Sequence, residues 1–430
     1  MRPELESQLR RRLFEEGYLF PDYERYCFAN IPGTALSVLE TDGMPVPRRQ
    51  LPDDVLRGLG GEYDRVLVVL VDGFGLRFWN RHDHPLLERL ETDGTVSPLT
   101  SIYPSETAAA VTTFHTGRLP ASHGVLGWDV YDPADDASYE AFTVDAKAGA
   151  ESIDHGLQDV FEGDPIYPDL KAAGIDCRHV VPFPETYDGA AVHSYGGGDA
   201  AARKHGLEGF ESALWAAFDA ATDPSYLFAY LPQIDTAAHA AGTDSKAYRD
   251  TVTETLDTLE RALTGLVADE TTAAGDTLVL VTADHGHVDT DPDRTVDLET
   301  YDTVMATLER YADGEPVRYA GSPRNVHLHL RTDDEGPGAG ADVLETVRSA
   351  LADLDARVFT ADEARDRDLF GDCEESETFR RRLGDLVVCH REQAVWYGSD
   401  PATLELIGMH GGLHPDEMLV PFGAIDLELL

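Results

Sequence analysis

Arg65 to Gly75 reads RVLVVLVDGFG, six consecutive apolar residues, Val66 to Val71, closed by Asp72 and a glycine. A run that is apolar at every position and stops on an acid is the signature of a central parallel strand, buried on both faces and ending at a functional edge. The construction returns twice, as YLFAYLPQID from Tyr226 to Asp235 and TLVLVTADH from Thr277 to His285. Helical patterns run from Leu207 to Ala220 and from Ala247 to Leu266. Strands alternating with helices predict an α/β fold with a parallel sheet, whose ligand site gathers at the strands' C-terminal ends. Each of the three strands brings a carboxylate to that edge: Asp72, Asp235 and Asp284.

Composition narrows the partners. The 430 residues carry 80 acidic against 34 basic side chains, a formal net charge of −46. Acidity spread along the whole chain opposes general binding to nucleic acid or to anionic membranes, since both need a basic footprint. Only four of the basic residues are lysine (Lys147, Lys171, Lys204, Lys246), and the balance resembles the surface of a protein from a salt-loving organism. The melting temperature is accordingly expected to rise between low and molar KCl, and a scan showing no rise would count against that reading. No apolar run reaches a membrane span, and MRPELESQLRRRLFEEGY lacks the hydrophobic segment of a signal peptide, so a cytoplasmic location is expected. Four scattered cysteines (Cys27, Cys177, Cys373, Cys389) without a CxxC pair suit free thiols in a reducing compartment.

Histidines accompany the acids at ligand spacing. In DTAAH, Asp235 and His239 are four apart, so on a helical turn both fall on one face and can hold one metal. Asp284 and His285 are adjacent at a strand end, and MHGGLHPDE supplies His410 beside two glycines, with His414 as its alternate. Three carboxylates and three histidines without thiolate suit zinc, with manganese or iron as substitutes. Paired ions about 4 Å apart clamp the attacking and leaving oxygens of a phosphoryl group. A hydroxyl residue for such a site stands in YPSETAAAVTTFHTGRLPASHG, Tyr103 to Gly124, where a helix is expected to begin at or just before Thr107. A helix N-terminus serves a cap and an anion equally well.

The ordered set Asp72, Thr107, Asp235–x3–His239, Asp284–His285 and His410 resembles the alkaline phosphatase superfamily, in particular its type I phosphodiesterase/nucleotide pyrophosphatase branch, and is similar also to phosphonoacetate hydrolase. In that family the nucleophile stands nine residues before the Thr of a Thr-Gly pair that is followed by Pro and His-Gly. Here the frame is Thr116-Gly117, Pro120 and His123-Gly124, which selects Thr107 over Ser105, Thr112 and Thr113. The resemblance implies an α/β/α sandwich with a central, mostly parallel sheet. It implies two zinc ions, one on Asp235, His239 and His410, the other on Asp72, Thr107, Asp284 and His285. It also implies hydrolysis of phosphodiester or pyrophosphate bonds in nucleotide-like small molecules through a phospho-threonine. Phosphonate hydrolysis and phosphomonoester hydrolysis are the neighbouring activities, and a non-catalytic metal-stabilised binding protein is the alternative outside catalysis. One departure stands out: the family's phosphate-holding Asn, three residues after the nucleophile, is Ala110 here. The Cys-x-Pro-x-Arg of sulfatases is absent.

The remaining signals read as architecture. His82 and His84 in RHDHP predict a surface loop, His327 and His329 in NVHLHL a polar strand face, and His123 and His287 support rather than ligation. SYGGGDAA, with Gly196 to Gly198, reads as a flexible loop, and the pocket-lining loops include 182–199. Residues 298–400, with strands at Asn325–Leu330 and Asp385–His390, a helix at Ala341–Ala352 and a linker-like turn DDEGPGAGAD, are expected to form an inserted α+β unit resembling a cap. The hydrolase core would then comprise 1–297 and 401–430.

Overall fold

The computed structural model describes residues 1–39, 49–183, 187–196, 206–268, 276–331 and 339–430. Gly197 and Gly198, part of the 182–199 stretch and most of the DDEGPGAGAD turn lie outside these residues.

The three apolar runs form neighbouring strands. The central sheet contains β1 (Arg65–Val71), β2 (Thr95–Thr100), β3 (Asp176–Val181), β4 (Ala191–Ser194), β5 (Ser225–Leu231), β6 (Thr277–Thr282) and β7 (Leu419–Asp426). Their order is β2-β7-β6-β1-β5-β3-β4. β1 pairs in parallel with both β5 and β6, and β7 is antiparallel to β6 and β2. Every residue of β1 and of β6 is buried. Such strands need cover on both faces, which explains why their sequences show no alternation. Helices α1 (Thr107–Thr116), α2 (Phe210–Ala220), α3 (Gln233–Ala241) and α4 (Lys246–Ala268) belong to this layer structure, α4 packing on both α2 and α3. The α2 and α4 ranges fall within a few residues of those expected from periodicity.

A second seven-stranded sheet runs in the order Ala356–Thr360, Leu386–His390, Asn325–Leu328, Gly321–Ser322, Asp129–Asp132, Ala137–Glu140, Ala146–Ala148. Its register is antiparallel throughout. It draws three strands from residues 129–148, far from 298–400 in sequence. Along Leu386–His390 the side chains alternate between two cores: Leu386 and Val388 join Leu298, Val326, Leu328 and Trp396, whereas Val387 and Cys389 face the main core. The sheet is therefore covered on both sides.

That cover corrects one expectation. His327 and His329 do not line a polar, solvated strand face; they are 2% and 5% exposed. His327 Nδ1 accepts the Gly384 N–H at 3.2 Å, and burial lowers the pKa of His327 to about 3 and that of His329 to about 4. His84 is likewise buried, its Nδ1 capping the helix Pro85–Thr92 through the Leu86 N–H. Among the described residues no helix is long and apolar enough to cross a membrane, and the four cysteines are free.

Candidate metal centre

Because β6, β1 and β5 are parallel neighbours, their C-terminal ends meet at one edge. Asp72 follows β1, Asp284 and His285 follow β6, and α3 begins just past β5 with Asp235 in its first turn and His239 in its last. His410 arrives on the segment that leads towards β7. The site divides into two clusters. Asp72, Asp284 and His285 have ligand atoms within 4.8 Å of one another, and so do Asp235, His239, His287 and His410. The rings of His285 and His410 stack at 3.6 Å and 10°, joining the clusters.

The first cluster gathers acceptor atoms around the Thr107 hydroxyl. His285 Nδ1–H donates to the Gly286 carbonyl at 3.1 Å, which fixes the tautomer and leaves the Nε2 lone pair facing inward. That Nε2 is 3.3 Å from Asp72 Oδ1, 3.6 Å from Asp284 Oδ2 and 3.0 Å from Thr107 Oγ1. Asp72 Oδ1 and Asp284 Oδ2 are buried and have no hydrogen-bond partner. Unpartnered buried carboxylate oxygens are costly unless a cation meets them. The other oxygen of each acid is occupied: Asp284 Oδ1 accepts from Gly73 N at 3.2 Å and His285 N at 3.0 Å, and Asp72 Oδ2 accepts from the Tyr230 hydroxyl. Burial, and then the neighbouring carboxylate charge, pushes Asp284 up to about 8 and Asp72 well above the usual carboxylate range.

The second cluster centres on Asp235 Oδ1, with Nε2 of His287 at 2.9 Å, of His239 at 3.2 Å and of His410 at 3.5 Å. His410 Nδ1–H donates to Ser105 O and His287 Nδ1–H to Gly73 O, each at 3.1 Å, so both Nε2 atoms face the aspartate. Burial alone would raise Asp235, but His239, His287 and His410 hold its carboxyl well below the usual range. Burial depresses His287 and His410 in turn. This cluster opens through Asp235 and His239, whose side chains are 15% and 23% exposed, whereas His287 and His410 are 0% and 4% and Asp72, Asp284 and His285 are 0 to 2%. Gly73, at φ +70°, permits the approach, since a Cβ there would lie 2.2 Å from His287 Cε1.

Thr107 is the first residue of α1, which has no side-chain cap. Its hydroxyl lies beside the first cluster, 3.0 Å from His285 Nε2, so the helix starts next to that cluster, and a helix N-terminus suits an anion. Ala110, one turn on, is fully buried.

All seven sequence-selected residues meet here. His414 does not; its Nδ1 accepts the Asp416 N–H and caps Pro415–Met418. His287, read from sequence as support, joins the second cluster, a placement its His-x-His spacing from His285 could have suggested. Tyr230 was missed, because nothing in a strand tyrosine announces which carboxylate its hydroxyl will reach. A third acidic group, His84, Asp257 and Glu260, is already satisfied: His84 Nε2 donates to Asp257 at 3.1 Å, and Glu260 pairs with Arg89 at 3.2 Å.

A family model described as type I phosphodiesterase / nucleotide pyrophosphatase matches residues 66–413. Among solved structures, murine ectonucleotide pyrophosphatase / phosphodiesterase 5 is similar at a TM-score of 0.62 and 18% identity, over 84% of this chain and 87% of that one. An inactive threonine-to-alanine variant of that protein, in complex with AMP, is similar at 0.63 and 18%, over 85% and 88%. The human protein of the same name is similar at 0.59 and 16%, over 84% and 87%. At such identities the likeness is one of fold.

Proposed function

Because the chain belongs to the type I phosphodiesterase / nucleotide pyrophosphatase family, a family of hydrolases, we propose that it cleaves phosphodiester or pyrophosphate bonds of nucleotide-like small molecules through a phospho-threonine on Thr107, with two zinc ions as cofactor. The observation that carries this is the convergence of unpartnered buried carboxylate oxygens and inward imidazole lone pairs on the hydroxyl that starts α1. Asp72, Asp284 and His285 with Thr107 would hold one ion; Asp235, His239 and His410 would hold the other, with His287 beside them. Bound zinc supplies positive charge to the attacking and leaving oxygens of a phosphoryl group. Thr107 Oγ attacks phosphorus, its proton passing to solvent through the open second cluster, as the bond to the leaving oxygen breaks and that group departs with a proton from solvent; water later cleaves the phospho-threonine, releasing the phosphoryl product and restoring the hydroxyl. The uncapped amides of α1 orient a phosphoryl oxygen. The AMP complex of the murine relative supports a nucleotide-like ligand.

Charge favours a diester over a monoester. Among the described residues no arginine or lysine figures in the interactions of Asp72, Asp235 or Asp284. Two divalent ions against three aspartates leave one positive charge, which matches a phosphodiester monoanion and underbalances a monoester dianion. We therefore expect kcat/KM on a bis-nitrophenyl diester or a nucleotide pyrophosphate to exceed that on nitrophenyl phosphate by about tenfold or more, a difference of about 1.4 kcal/mol in transition-state binding. The measurement is a panel of mono- and diesters, a phosphonate and nucleotides with zinc or manganese at low and high salt. Faster monoester or phosphonate turnover would reassign the activity within the superfamily, and a zinc-loaded protein inert to the whole panel would be a binding protein.

A further inference from the structure

A buried arginine of the second sheet reaches the segment that carries His410. Arg324 is fully buried on the two-residue connection between strands Gly321–Ser322 and Asn325–Leu328. Its Nε and Nη2 donate to Glu417 Oε1 and Oε2 at 2.9 and 2.8 Å, a bidentate pair. Nη1 donates to Gln393 O at 2.7 Å and Nη2 also to Arg391 O at 3.1 Å. Glu417, also fully buried, uses the same two oxygens to accept Gly412 N at 3.2 Å and His414 N at 3.0 Å. On the other side of the segment, Ser105 Oγ donates to Gly412 O at 2.8 Å and accepts from Gly411 N at 3.2 Å, while Ser105 O receives the His410 Nδ1–H. At Gly411, φ +108°, a Cβ would lie 2.6 Å from Glu106 Oε2 and 2.7 Å from Ser322 Oγ, so the backbone is pressed between the sheet and the nucleophile loop. His410 thus owes its place to a strip of backbone held by Ser105 in front and by Glu417, itself fixed by Arg324, behind.

We propose that Arg324 and Glu417 are positioning residues for His410, so that occupancy of the Asp235–His239–His410 cluster depends on a side chain supplied by the second sheet. The inference rests on the two-zinc reading above. It also means that the 298–400 segment is not separable from the hydrolase core, because removing it removes Arg324.

The test is zinc stoichiometry and affinity of the full-length protein by elemental analysis and chelator competition, with circular dichroism and melting curves in parallel. Glu417→Gln, which replaces one accepting oxygen by an amide NH2, is expected to keep one zinc at wild-type affinity and to bind the other about 10- to 100-fold more weakly, as loss of a ligand's supporting partner does. Since a buried guanidinium without its carboxylate can itself unfold a protein, Arg324→Met/Glu417→Leu, which removes both charges, is measured alongside and is expected to fold and show the same selective weakening. Asp235→Ala marks which zinc is lost, and adding Glu417→Gln to it is expected to weaken the remaining ion no further. Two zinc ions held at wild-type affinity in either Arg324/Glu417 variant overturn the proposal. A wild-type chain that binds fewer than two zinc ions overturns the function reading beneath it, and is told apart because the failure then precedes any substitution.

Discussion

Thr107→Ala is expected to lower diester turnover by about 10³-fold or more while leaving two zinc ions bound per chain. A drop of that order is typical when a covalent nucleophile is removed from an intact site. The competing hydroxyls are already engaged: Ser105 Oγ donates to Gly412 O, Thr112 Oγ1 to Ala108 O at 2.8 Å, and Thr113 Oγ1 is 3.0 Å from His123 Nε2. Thr107 Oγ1 alone faces the first cluster, 3.0 Å from His285 Nε2. Metal should survive the substitution because Asp72, Asp284 and His285 are held by other elements: the first follows β1, the other two follow β6. Thr107→Ser, which keeps the attacking oxygen, should retain a substantial share of the rate. Wild-type turnover in the alanine variant would remove Thr107 from the nucleophile role.

Much of this site was legible because its residues follow directly from elements with strong local signals. β1 and β6 are buried on both faces, so their sequences are apolar without alternation from Val66 to Val71 and from Leu278 to Val281, and an acid, Asp72 or Asp284, marks the strand end. Asp235 and His239 share a helical face by spacing alone. The second sheet was harder. Its junction pairs Gly321 with Asp129, residues far apart in sequence, and no local pattern encodes such a pairing. His327 and His329 misled for a related reason. Alternation with Val326 and Leu328 suggests a solvated face, yet here the opposite face packs against the main core. Tyr230 and the Arg324–Glu417 pair were invisible because their meaning lies in tertiary neighbours. A buried arginine on a hairpin tip reads in sequence as an ordinary surface turn.

Metal removal is expected to abolish turnover and to change how the protein handles protons. In the metal-free chain burial holds Asp284 near 8, so at pH 7 that carboxyl is largely protonated, and burial shifts Asp72 in the same direction. Asp235, surrounded by three histidines, is already ionised, and His287 and His410 are depressed and neutral. Ligands must be deprotonated to bind, so filling the first cluster at pH 7 should release about one proton, from Asp284, and filling the second fewer. Calorimetric zinc titrations in buffers of different ionisation enthalpy measure this directly, and Asp235→Ala isolates the first cluster. The sign for stability follows from the same groups. A carboxyl whose folded pKa lies above its unfolded value of 3.8 stabilises the fold fully below about pH 4, and that contribution is lost as pH rises towards about 8. The melting temperature of chelator-treated protein should therefore fall between pH 5 and 8, while zinc, which keeps the carboxylates ionised and paired, should flatten the slope. Turnover in excess chelator should drop about 10³-fold or more and return with zinc. Equal proton release from both clusters, or a chelated protein whose stability rises across that window, would show that Asp284 is not held protonated in wait for a cation.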